Sequence, residues 1–165
     1  MSRLITAVLA ALALMVGVAP ASAQPKSEGE LTIGLSSLSS ETMDPMLGGQ
    51  IVKFYLDQIF DYLVGCNPDG TLSKDNGLAR DWEVSADKKR WTFLLRPDVK
   101  FHDGSPVTSE DVKFSVMRNI GKRSTTGYAG PMRELIKDIE TPAPDKVVIV
   151  TKQPTLIIAS ATDSA

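Results

Sequence analysis

The sequence predicts an α+β fold. Two stretches carry apolar residues at helical spacing, and two others alternate apolar and polar residues around short polar turns. No regular strand–helix–strand alternation runs through the chain, so a doubly wound parallel sheet is not expected.

The first residues, MSRLITAVLAALALMVGVAPASAQP, read as an export leader. Arg3 supplies positive charge, Leu4 to Val18 is apolar, and Ala21-Ser22-Ala23 places small residues before a cleavage point ahead of Gln24. The apolar run falls short of the ~20 residues a membrane span needs. No cysteine directly follows it, so a lipid-attachment leader is not expected. Cleavage after Ala23 leaves about 140 residues, enough to bury a core.

Glu30 to Leu35 (ELTIGL) alternates at period two, with Leu31, Ile33 and Leu35 on one face of a strand. The serine-rich SSLSSETMDP is a loop ending in Asp44-Pro45. After Gly48-Gly49, QIVKFYLDQIFDYLVG predicts a helix. Val52, Tyr55, Leu56, Ile59 and Leu63 share a face, and Gly65 suits the C′ position, where positive φ is needed. Asn67-Pro68-Asp69-Gly70 is a turn by composition. WEVSADKKRWTFLLR predicts a hairpin. Trp82 and Val84 precede a polar turn at Ser85 to Lys89, and Trp91, Phe93 and Leu95 then alternate with Thr92, Leu94 and Arg96.

Val99 and Phe101 share one side of a short strand, with Lys100 and His102 on the other, before the Asp103-Gly104 turn. Thr108 starts a helix: its hydroxyl suits the N-cap, Glu110 and Asp111 meet the positive end of the dipole, and Asp111 stands in for the Glu of a capping box. Val112, Val116 and Ile120 form the apolar stripe, with Phe114 and Met117 beside it. RSTTGYAGPM reads as a glycine-rich loop. Leu135 to Ile139, the turn TPAPDK and Val147 to Thr151 make a second strand pair, and Thr155 to Ala161 opens an apolar helix. That helix is left without a cap, as expected of a truncated chain.

Composition excludes several functions. Lys and Arg number 18 against 20 Asp and Glu, a formal net charge of −2, so there is no basic footprint for nucleic acid. A zinc site needs three or four ligands, and the chain has one histidine and one cysteine. Cys66 has no internal disulfide partner and is expected to be a small buried apolar side chain. No G-x-S-x-G elbow is present, and Gly48-Gly49 lacks the lysine and spacing of a phosphate loop. The polar cluster around the sole histidine, RPDVKFHDGSPVTSEDVKFS, is accounted for by a turn and a helix start. Twenty acidic residues still leave a carboxylate pair of the glycosidase kind open.

The run WTFLLRPDVKFHDGSPVTSEDVKFSVMR (Trp91 to Arg118) resembles the signature region of the extracellular solute-binding proteins, family 5, which feed ABC importers. TMDPML, IFDYLVGCNPDGTL and GLARDWEVSADKKRWTF upstream, and KDIETPAPDKVVIVTKQP downstream, keep the same order, so the resemblance runs from about Leu31 to Pro154. Ser109 departs from the family's frequent Ala, and Lys88-Lys89 from a frequent Gly. The resemblance implies a two-lobed clamshell of the type II periplasmic-binding class with an inserted accessory α/β domain, incomplete in this chain. Residues 24–43 would be the first strand and loop of the ligand lobe, 44–154 the inserted domain and 155–165 the return.

The implied function is capture of a peptide or related small solute outside the cytoplasm and delivery to a membrane permease, by a monomer without cofactor, metal or catalytic residues. An exported peptide chaperone or sensory module is the alternative, and a carboxylate-dependent hydrolase comes behind it. Ser37, Leu38, Ser39 and Glu41 stand where related binders approach ligand. Glu41 has the charge to meet a peptide's α-ammonium, or is simply a solvated loop carboxylate. Tyr128 resembles an aromatic position that approaches ligand in oligopeptide binders, with anchoring of its own loop as the competing role. Trp82 and Trp91 are expected in the hairpin core rather than stacked on ligand.

Overall fold

A computed structural model describes residue 34 and residues 42–48 and 52–156. The export leader, the strand at Glu30 to Leu35 apart from Gly34, the loop carrying Ser37, Leu38, Ser39 and Glu41, and all but the start of the segment after Thr155 lie outside the described residues. The elements are α1 (Lys53–Leu56), β1 (Gly65–Cys66), β2 (Leu72–Ser73), β3 (Ala79–Val84), β4 (Arg90–Leu95), α2 (Ser109–Asn119), α3 (Ala129–Leu135), β5 (Ile136–Ala143) and β6 (Lys146–Thr151). β1 and β2 form a small antiparallel pair, while the main sheet is antiparallel in the order β3-β4-β6-β5.

Both expected hairpins are present, and alternation along β4 decides the register. Phe93 lies between Trp82 and Val147, and Trp91 between Val84 and Ile149. Trp91, Phe93 and Leu95 therefore share the inner face with Val147, Ile149 and Ile139, under Val112 of α2, Ile120 just after it and Met132 of α3. The rings of Trp91 and Phe93 stack 6.4 Å apart. Each such buried side chain contributes about 1.5–3 kcal/mol. Trp91 is core as expected; Trp82 is half-buried and packs against it. On the opposite face, Arg90 of β4 reaches over β6 to make a paired bond with Glu140 of β5, at 3.0 and 2.7 Å.

α2 begins as the Thr108 spacing predicts: the Thr108 backbone N–H donates to Asp111 Oδ2 at 2.8 Å. Val112 and Ile120 are buried, whereas Phe114 is 68% exposed. Ser109, the departure from alanine, is also buried. Its hydroxyl donates to the Ala143 carbonyl at 2.8 Å and its N–H to Pro144 O at 2.7 Å, so it fastens α2 to the β5–β6 turn.

Four expectations are corrected. Among the described residues, the helix predicted over Gln50 to Gly65 is helical only around Lys53–Leu56, and its last helical bond runs from Phe60 N–H to Leu56 O. Beyond it the Tyr62 and Leu63 carbonyls accept from Leu78 and Ala79 N–H at 2.9 and 2.8 Å, which needs an extended chain; Gly65 lies in β1 rather than at a C′ position. RSTTGYAGPM is not wholly loop, because its end opens α3. Pro131 sits in the first turn, where its missing N–H leaves no helical bond unmade. The short strand at Val99 to Phe101 is reduced to one bridge, Lys100 to Pro106, with Phe101 exposed. Cys66, on the two-residue strand β1, is exposed rather than buried.

Lys88 in the β3–β4 turn has φ of 56°, where the resembling hairpins often carry glycine. Left-handed backbone costs a side-chain-bearing residue about 1–2 kcal/mol, and glycine's extra freedom in the unfolded chain cancels part of that. Lys88→Gly is therefore expected to raise the urea midpoint by a stabilisation of about 0.5 kcal/mol with an unchanged slope.

Candidate functional site

The turn carrying His102 is built from its own backbone. Phe101 N–H donates to Ser105 O at 2.8 Å, Gly104 N–H donates to Phe101 O at 2.9 Å, and Gly104 takes φ of 87°. Asp103 Oδ1 accepts from the Ser105 N–H and hydroxyl at 2.9 and 2.6 Å, which holds its carboxyl below the ordinary range. None of these bonds involves the imidazole, and Asp103 is engaged with Ser105 instead of orienting a base. Among the described residues no three His, Cys, Asp or Glu side chains gather closely enough to hold a metal ion.

Beside this turn lies a groove of about 400 Å³, bounded by Ile59, Phe60, Val99, Phe101, Phe114 and Arg118. Its size falls within the range of small-ligand sites, and its walls are mainly aromatic and aliphatic. His102, Asp111 and Ser115 also line it, so polar groups border an otherwise apolar surface.

Pro45 also lines the groove; it belongs to a strap, Thr42–Gly48, which follows the Ser37–Glu41 stretch in sequence. Asp44 organises it: the Asp44 carbonyl accepts from Leu47 and Gly48 N–H, and Oδ1 accepts from Met46 N–H at 3.0 Å. Arg118, at the end of α2, grips both oxygens of Asp44 at 2.9 and 2.6 Å. On the far side of the strap, the Met46 carbonyl accepts from Thr125 N–H at 3.0 Å. Thr125 belongs to the loop that leads into Tyr128, the residue preceding α3. Of the expected ligand-contacting residues, Tyr128 alone is described; it is half-buried and packs against the core. Sequence reading missed the Asp44–Arg118 pair, whose members stand 74 positions apart with no local pattern to link them.

The Asp44 carboxyl lies below its ordinary pKa, chiefly because Arg118 bonds the ionised form. Being lowered on folding, it contributes stability that is complete above the unfolded value near pH 4 and is lost as pH falls through the depressed value. The pair is partly exposed, so the contribution is about 1 kcal/mol or less. Asp44→Asn is expected to flatten the acid limb of stability below pH 4 relative to wild type, as read by urea titration across pH.

Residues 75–163 match the family of bacterial extracellular solute-binding proteins, family 5, in its middle portion. Over 79 residues the chain is 40% identical to the probable D,D-dipeptide-binding periplasmic protein DdpA of Escherichia coli K12, covering 47% of this chain and 14% of that protein. Over 71 residues it is 37% identical to the periplasmic oligopeptide-binding protein OppA of the same strain, covering 43% of this chain and 12% of that one. The chain thus spans a small part of the length of these relatives. Among solved structures, Haemophilus influenzae OppA in complex with RPPGFSPFR is similar with a TM-score of 0.65 at 24% identity, over 74% of this chain and 27% of that one. NikA from Brucella suis in complex with Fe(III)-EDTA is similar with a TM-score of 0.61 at 28% identity, over 71% and 23%.

Proposed function

Because the chain belongs to the bacterial extracellular solute-binding proteins, family 5, with the mixed fold of part of a type II periplasmic-binding protein, we propose that it serves in capture of a peptide or related small solute for an ABC importer. The single observation that carries this is the family match over residues 75–163. The two relatives named as dipeptide- and oligopeptide-binding favour a peptide. The protein acts outside the cytoplasm, exported on the leader that ends at Ala23. Among the described residues no helix is long and apolar enough to cross a membrane.

In this reading no bond is made or broken. Ligand shifts the receptor toward a closed form only as far as it binds that form better than the open one. A peptide satisfies this through main-chain pairing with a strand edge, which gives affinity with little side-chain selectivity. Residues 44–154 act as the inserted accessory domain, with a core of their own beneath the four-stranded sheet. Ser37, Leu38, Ser39 and Glu41 face the ligand together with Tyr128. The closed receptor is recognised by membrane permease subunits, and nucleotide hydrolysis takes place in a separate subunit.

The test is native mass spectrometry of the exported protein, followed by titration with trialanine. A bound mass that fragments as a peptide, or saturable trialanine binding, is the expected result. Deletion of the gene with uptake of labelled peptide intact would instead favour a chaperone or sensory role, and turnover of a substrate lost in His102→Ala would favour an enzyme.

A further inference from the structure

The contacts of the Thr42–Gly48 strap assign a role to Arg118. We propose that it is a positioning residue: by gripping Asp44 it clamps the strap to the 121–126 turn and thereby sets where Tyr128 stands. The guanidinium meets the carboxylate with two parallel bonds, a geometry that fixes orientation as well as distance. Asp44 Oδ1 is shared between Arg118 and the Met46 N–H, so the grip and the shape of the strap depend on one atom.

The strap in turn aims the Met46 carbonyl at Thr125, whose N–H bonds it at 3.0 Å, with the Ser124 and Thr125 hydroxyls each at 3.4 Å. The Met46 side chain is buried, which holds the strap in place from beneath. Thr126 O then accepts from Ala129 N–H at 3.1 Å and Tyr128 O from Met132 N–H at 3.0 Å, so α3 starts a few residues after the anchored Thr125.

The other border of the loop is held independently. Arg133 of α3 donates to Ile120 O and Gly121 O at 2.6 and 2.7 Å, bonding carbonyls at the end of α2. Loss of Arg118 therefore leaves α3 docked through Arg133 and loosens the loop from the strap as far as Tyr128, which precedes α3. Lysine cannot replace the grip fully, because it is a point charge without the planar fork. A partly exposed ion pair adds little to global stability, so positioning and stabilisation are separable here.

The consequence for affinity rests on Tyr128 facing ligand, as proposed above. The test uses the exported protein with Arg118→Gln and Arg118→Lys, and reads amide hydrogen exchange, the Tyr128 ring resonances and trialanine affinity. In Arg118→Gln the Met46 to Gly48 and Thr125 amides are expected to exchange about tenfold faster, with β4 and β6 unchanged. The Tyr128 ring resonances shift, trialanine binding weakens about tenfold, and Arg118→Lys falls between Gln and wild type on each readout. Unchanged local exchange, unmoved ring resonances, or acceleration spread evenly through the sheet would each overturn the proposal. So would full trialanine affinity in Arg118→Gln. If wild type binds no trialanine, that counts against the peptide reading alone, and exchange with the ring resonances decides the clamp.

Discussion

Phe93→Ala is expected to cost about 3–5 kcal/mol of stability. Phe93 is fully buried at 0% exposure on β4, between Trp82 of β3 and Val147 of β6, and its ring stacks on Trp91. Truncation removes transfer energy and leaves a cavity that sheet pairing on both sides prevents from collapsing. Since net stability of such domains is only ~5–15 kcal/mol, the loss takes a large fraction of it. Urea unfolding followed by tryptophan fluorescence measures this directly. A loss below about 1 kcal/mol would mean that Phe93 is not at the centre of the core.

Gly77→Ala is expected to destabilise by about 2–3 kcal/mol although it adds a single methyl. A Cβ at Gly77 would sit 2.5 Å from Gly65 N and 3.0 Å from Leu63 O. Both are backbone atoms, so no flexible side chain can swing aside. The strain falls on the segment whose Tyr62 and Leu63 carbonyls bond Leu78 and Ala79. Faster hydrogen exchange at Leu78 and Ala79 should accompany the lower midpoint. Gly70→Ala is the control for crowding: its Cβ would meet nothing within 4 Å, so any cost there comes from its φ of 82° alone.

What was legible in the sequence was what short-range chemistry decides. Alternation of Trp91, Phe93 and Leu95 predicted their common face, and the Thr108-to-Asp111 spacing predicted the start of α2, because each depends on neighbours within a few residues. The Gln50 to Gly65 stretch misled because Leu63 satisfies a helical stripe and a buried extended segment equally well. The choice is made by Leu78 and Ala79, whose N–H groups reach carbonyls far back in the chain. Cys66 is exposed because β1 is a two-residue strand paired only with Leu72–Ser73, a context invisible in the composition around it. Family resemblance added the Lys88 and Ser109 departures, and each has a structural counterpart: a left-handed turn residue and a hydroxyl bonded to Ala143. Of the candidate ligand contacts only Tyr128 received a position, and the Arg118–Asp44 grip beside its loop left no pattern to read.

The strand order β3-β4-β6-β5 has a kinetic consequence. Each outer pair is a hairpin whose turn spans a few residues, at Ser85 to Lys89 and at Pro144-Asp145, and such pairs form in about 1–10 μs. The β4–β6 pairing at the centre instead joins segments separated by about fifty residues, whose ends meet only after a large entropy loss. Assembly rate is therefore set where Phe93 meets Val147, and both α2 and α3 lie within the loop that this meeting closes. Lengthening that loop would raise the free-energy cost of closing it only as the logarithm of its size, about 0.6 kcal/mol per doubling, so the central pairing tolerates insertions away from the anchored 121–128 segment.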